Sequence, residues 1–205
     1  TPLRPSAPGE RIDRKTRVRH GLFLLSERTL TWCVNPYWRA RLLRALGAKV
    51  GNNVRVYEAR FFNLFTGFHN LTLEDDVHVG PGCLIDLSDR VVIGRGAVLS
   101  PRVTVLTHSD PGDHHGAPLA SVFPTYSAPV VIEENSWVGA NAVLLAGAVV
   151  GRLAVVGANS LVRGSVDPKT VVGGSPARKI RDLDADLGAV AERGAGVAGD
   201  AALLG

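Results

Sequence analysis

A chain of 205 residues and 21.7 kDa, with 45% hydrophobic and 20% charged residues, has room for one core with appendages and is too apolar for wholesale disorder. Its formal charge of +4 is unevenly held: residues 1–49 carry eleven Lys/Arg against three Asp/Glu, a net of +8, while the remaining 156 carry −4, so the basicity belongs to a leader and does not call for nucleic acid as a partner. No apolar run approaches the roughly 18 residues of a membrane span, and Cys33 and Cys83 have neither CxxC nor metal-ligand spacing, which argues against a zinc or redox site.

The chain begins Thr1-Pro2-Leu3-Arg4-Pro5, without the apolar stretch of a signal peptide, so cytoplasm is the expected compartment. Residues 1–20 read as disordered or weakly held, and the basic leader as a whole as a solvated arm, with contact to a membrane surface or polyanion as the alternative. Asn35-Pro36 then predicts a helix over about 36–46, with Asn35 as N-cap, Pro36 at the first helical position and Gly47 just past the end. Trp38, Leu42 and Leu46 share one face, expected to pack on the open end of the following domain, with Arg39, Arg41 and Arg44 off it. Peripheral membrane contact by this segment is the alternative.

From Val50 onward the chain repeats. Ile132, Val138, Leu144, Val150, Val156 and Val162 are aliphatic residues spaced by six, and the same grammar runs through Leu73, Val79 and Ile85, slips by two, and resumes at Ile93, Leu99 and Val105. Small residues often follow the aliphatic one (Gly139, Gly151, Gly157) and occupy the fifth position (Ser136, Ala142, Ala148, Ala154, Ser160). A period of six fits neither a helix nor a plain alternating strand; short strands joined by tight corners, one per hexad, produce it. Three hexads make a triangular coil, and about four to five coils are expected between Val50 and Gly174. The organisation expected is a basic extension over 1–49, the repeat domain over 50–177, and a terminal segment and tail over 178–205 that is weakly ordered after Leu187.

One excursion, about 109–129, leaves the repeat directly after His108. Insertions of that length in a compact repeat usually carry function. His108 ends a strand and would be rigidly held, whereas His114 and His115 lie in the loop; an imidazole suits a general base near neutral pH. Asp86, in Leu84-Ile85-Asp86-Leu87-Ser88, stands one coil before His108, where it could orient the imidazole, bind an acceptor hydroxyl, or satisfy corner N–H groups. Cys83 occupies an inward small-residue slot and reads as buried filler rather than a nucleophile.

The repeat closes with Val171-Val172-Gly173-Gly174-Ser175-Pro176-Ala177-Arg178-Lys179-Ile180. Together with Ser136-Trp137-Val138-Gly139, this ending resembles the hexapeptide-repeat acyltransferases of the maltose/galactoside and polysaccharide O-acetyltransferase kind, over about 35–183. The resemblance implies a left-handed parallel β-helix, an all-β fold here preceded by a short helical segment, whose hand departs from the usual crossover rule. It implies an acetyl-CoA-dependent O-acetyltransferase acting on a sugar or glycosylated acceptor, assembled as a homotrimer with sites between subunits and using no metal. His108 then falls where the family keeps its catalytic histidine, although relatives usually place it about two residues later, where this chain has Asp110. Asp86 and Asp110 are the acceptor-orienting candidates. Trp137, Ala140 and Ala158 match residues beside the coenzyme arm, Arg163 and Gly164 match a backbone contact often made by Thr-Lys in relatives, and Arg178 and Arg181 match contacts to the coenzyme phosphates. The alternatives are a non-catalytic β-helical scaffold and a zinc-dependent, carbonic-anhydrase-like β-helix that would need His108, His114 and His115 as ligands.

Overall fold

The hexad turns its corner at the fourth position, where the backbone is left-handed: φ is 54° at Asn135, 59° at Asn141 and 58° at Asn159. Asn adopts this region at low cost. Arg102, Leu153 and Lys169 bear it at φ of 60°, 59° and 53°, held there by the coils on either side. Glycine at the second position answers a different need. A Cβ on Gly139 would sit 2.6 Å from the backbone N of Ala158 in the next coil, so the coils could not close at that corner.

The result, in a computed structural model that describes residues 14–112 and 116–189, is a parallel β-solenoid with three faces. The first face is six strands deep, from Lys49–Val50 through Leu71–Leu73, Val91–Ile93, Val130–Ile132 and Val149–Val150 to Ser165–Val166. The solenoid therefore has about six coils rather than four to five. The extra depth comes from 49–62, whose strands Lys49–Val50, Arg55–Val56 and Ala59–Phe62 pair in register with the next coil although their hexads are disguised by Arg, Tyr and Phe. The inward aliphatic positions stack in unbroken files. On the third face Phe61, Ile85, Val105, Leu144 and Val162 are consecutive partners, all buried. Cys83 lies in this interior, and burial pushes its thiol up to about 11, as suits filler.

Two helices cover the open first coil. Helix α1 (Arg14–Trp32) starts inside the stretch expected to be an unstructured arm, and residues 1–13 lie outside the described ones. Its Leu30 is buried, and Phe23 meets Phe68 edge-on at 6.4 Å. Buried Glu27 accepts the Phe61 N–H at 3.4 Å, occupying a donor on the exposed edge of Ala59–Phe62. Helix α2 (Pro36–Ala45) is capped as expected, with Asn35 accepting from the N–H groups of Tyr37 and Trp38 at 2.9 and 3.1 Å. Its inward face is not the expected one. Arg39, Ala40 and Leu43 are buried, while Trp38 and Leu42 are exposed and only Leu46 packs against the core. Small Ala40 permits close approach to the first coil, and buried Arg39 donates from Nη2 to the Cys33 carbonyl at 2.7 Å while its Nε has no partner among the described residues. At the far end Arg178–Asp182 turns back antiparallel on Thr170–Gly173 and covers the edge of the second face. Residues 184–189 are helical, where the tail was expected to hold little order after Leu187. The tail beyond 189 lies outside the described residues.

Candidate active site

Asp86 ends the strand Cys83–Asp86 on the third face, and His108 follows Thr104–Val105 in the next coil at the same corner. The histidine is fixed by a short antiparallel ladder, His108–Ser109 against Tyr126–Ser127, which closes the base of the excursion. His108 Nδ1 lies 2.5 Å from Asp86 Oδ2, and the carboxylate also accepts the N–H groups of Thr107 and His108 at 2.9 and 3.1 Å on that oxygen. Its Oδ1 accepts from Ser88 N–H at 3.0 Å and Asn63 Nδ2 at 2.9 Å. Asp86 is wholly buried. Burial, the largest single influence, would raise its pKa, but the combined hydrogen bonds from His108, Asn63, Ser88 and Thr107 outweigh it and hold the carboxyl below its ordinary range.

An ionised carboxylate can only accept, so the Nδ1 facing it carries the proton. In the neutral ring Nε2 is then left with its lone pair, on a side chain that is 30% exposed and flanked by the Phe62 ring at 6.4 Å. One nitrogen is tied down, and among the described residues none hydrogen-bonds the other, as a proton acceptor requires.

Sequence reading missed Asn63. It sits in a left-handed corner (φ 56°) after Ala59–Phe62, and its amide reaches Asp86 across one coil. The signal was present in the repeated use of Asn at corners, but nothing in one dimension distinguishes the corner that faces Asp86. Asp110 is exposed and holds the root of the excursion, accepting from Gly112 N–H at 2.7 Å and Thr125 Oγ1 at 3.1 Å. His114 and His115 lie outside the described residues, and with them the zinc alternative; among the described residues no three His, Cys, Asp or Glu are grouped to hold a metal ion.

The coenzyme candidates fall in two places. Trp137, 53% exposed on the second face, donates through Nε1 to Ser100 Oγ at 2.9 Å. It stands in a row of cross-strand partners that includes Val98, Trp137, Val155, Val171 and Arg181. Ala140 and Ala158 stack at the corner between second and third faces, where Asn159 N–H bonds the Ala140 carbonyl at 2.9 Å. Arg163 and Gly164 instead leave the third face at its other corner, the His108 side, and join Arg178 and Lys179 in lining a groove of about 390 Å³ roofed by Pro176 and Ala177. The two arginines of the ending differ. Arg181 is paired with Asp186, whereas Arg178 meets the carbonyl of Ala177 at 3.1 Å and faces the groove. Within one chain the third face separates Trp137, Ala140 and Ala158 from His108.

The site is a histidine–carboxylate pair at the root of an insertion and a groove at the closing end, both carried on a parallel solenoid of hexads. The pattern of the bacterial transferase hexapeptide family (six repeats) matches residues 129–164. The galactoside O-acetyltransferase of Lactococcus lactis subsp. lactis (strain IL1403) is 30% identical over 177 residues, 81% of this chain and 79% of that protein. In three relatives the matched stretch spans 57%, 69% and 79% of their own length. Among solved structures, a maltose O-acetyltransferase from Clostridium difficile 630 shares the fold at a TM-score of 0.70, 24% identity, over 83% of this chain and 89% of its own. A hexapeptide-repeat acetyltransferase from Vibrio cholerae O1 biovar eltor, solved with acetyl coenzyme A, is 26% identical with a TM-score of 0.51 over 83% and 88% of the two chains. The chain belongs to the hexapeptide-repeat acyltransferase family.

Proposed function

We propose that this protein transfers an acetyl group from acetyl-CoA to a hydroxyl of a sugar or glycosylated acceptor, with His108 as general base. The observation that carries the reading is the Asp86–His108 pair, whose geometry leaves Nε2 open beside the excursion. His108 Nε2 takes the hydroxyl proton as the oxygen attacks the thioester carbonyl; backbone N–H groups stabilise the tetrahedral oxyanion; the imidazolium returns the proton to the departing thiolate. Asp86, held by Asn63 and three backbone N–H groups, keeps Nδ1 protonated and the ring in place throughout. Asp110 shapes the acceptor side by tying the loop root.

The donor fits the residues present. The groove beside Arg163 and Arg178 offers cations for phosphates, Lys179 being paired with Asp182, and the exposed Trp137 with small Ala140 and Ala158 offers a flat apolar track for an extended arm. Because the third face lies between that track and His108 in one chain, a complete site draws the two from neighbouring copies, which supports a homotrimer. Cytoplasm, where acetyl-CoA is made and held, is the compartment this chemistry asks for. The scaffold alternative leaves an Asp-tied, half-open imidazole unused. The test is an acceptor screen with sugars and glycosides that reads free thiol released from acetyl-CoA. Turnover that His108→Ala lowers by about 10²–10⁴-fold is expected, and turnover indifferent to His108→Ala overturns the reading.

A further inference from the structure

The outer side of α1 carries a row of large apolar side chains that nothing in the described structure covers. Val18, Leu22, Leu25 and Trp32 recur at helical spacing and are 59%, 62%, 63% and 86% exposed. Val34, in the link to α2, is 92% exposed. Single exposed apolar residues are ordinary, but four on one helix face, interrupted at Thr29, make an interaction surface. The helix already packs its other side, through Phe23, Glu27 and Leu30, so the row is surplus to the fold.

Charge decides what the row is for. Between residues 14 and 49 the chain has nine Lys/Arg and one acid, Glu27, and that acid is turned inward onto Phe61. Arg28 borders the hollow between Leu25 and Trp32, and the Arg41 guanidinium stacks 5.0 Å over the exposed Trp38 ring. A second copy docked here would bring the same cations against these. An anionic bilayer serves both halves of the surface: its acyl boundary takes the apolar row, and its headgroup phosphates take Arg28 and Arg41, the cations placed beside it. The helix is not apolar enough to cross, so it would lie in the interfacial plane.

We propose that the outer face of α1, with the α1–α2 link, docks this protein on an anionic membrane surface. The inference does not depend on the acetyl-transfer reading. Full-length protein is mixed at low salt with vesicles of phosphatidylcholine alone, and with phosphatidylglycerol added, and the vesicles are sedimented. The parent is expected to sediment with the anionic vesicles, to remain in solution with phosphatidylcholine, and to be released by raised salt. Leu22→Gln/Leu25→Gln/Trp32→Gln should partition at least about tenfold more weakly, with unchanged circular dichroism and unchanged mass by light scattering. Should the triple variant fail to fold, Trp32→Gln alone decides, with a loss of about threefold. A parent that ignores anionic vesicles, or variants that bind as the parent does, would overturn the proposal. So would a fall in oligomer mass in the triple variant without vesicles, which would assign the row to a second copy.

Discussion

One buried carboxylate, Asp86, accepts the corner N–H groups of Ser88, Thr107 and His108 and meets the His108 ring. On the proposed mechanism His108→Ala lowers kcat by about 10²–10⁴-fold with little change in acetyl-CoA binding, measured by steady-state kinetics and titration with the coenzyme. Asp86→Asn keeps a carbonyl that can face Nδ1 but turns an amide toward donors, so it should lower kcat by about 10²-fold. The same residue sets a pH dependence of stability. Its carboxyl is held below the ordinary range, so its contribution is complete at neutral pH and fades as pH falls through its native value. Urea unfolding of parent and Asp86→Asn across the acid range should therefore give a gap in midpoint that narrows toward low pH; a gap that widens would contradict the assigned ionisation.

At the scale of the element, the hexad corner and the helix cap are the sensitive points. Gly139→Ala introduces a Cβ 2.6 Å from the Ala158 backbone, and the coils must part at that corner. A loss of about 1–3 kcal/mol in denaturant unfolding is expected. Asn35→Ala removes the acceptor for two N–H groups of α2 and should cost about 1 kcal/mol. The Trp38, Leu42, Leu46 spacing correctly marked an amphipathic helix and pointed to the wrong side of it. Periodicity ranks faces by apolarity, whereas α2 was seated by shape: Ala40 allows the close approach and buried Arg39 meets a carbonyl.

For the whole molecule the proposed assembly is a homotrimer, and light scattering should return about three times 21.7 kDa. A fully active monomer would sink the shared site, because the third face would then have to be crossed within one chain. The closing end makes a separable prediction. Arg178 faces the groove and Arg181 is engaged by Asp186, so Arg178→Ala should weaken acetyl-CoA binding more than Arg181→Ala, with kcat at saturation largely kept in both. Equal affinity in all three proteins would make the basic ending a solvated end and nothing more.

The coil, its three faces and its corners were legible in one dimension, because a solenoid is a local structure: each hexad meets the hexad one coil on, and spacing alone fixes that register. The meeting of His108 and Asp86 was legible for the same reason, since they stand one coil apart at one corner. The number of coils was under-read where 49–62 conforms in backbone but not in residue type. Asn63 could not be found from sequence, because its importance lies in which neighbour its corner faces. The difference between Arg178 and Arg181, the inward side of α2 and the uncovered row on α1 were likewise decided only in the tertiary structure. Each depends on which surface another element occupies, and composition and period carry no information about occupancy.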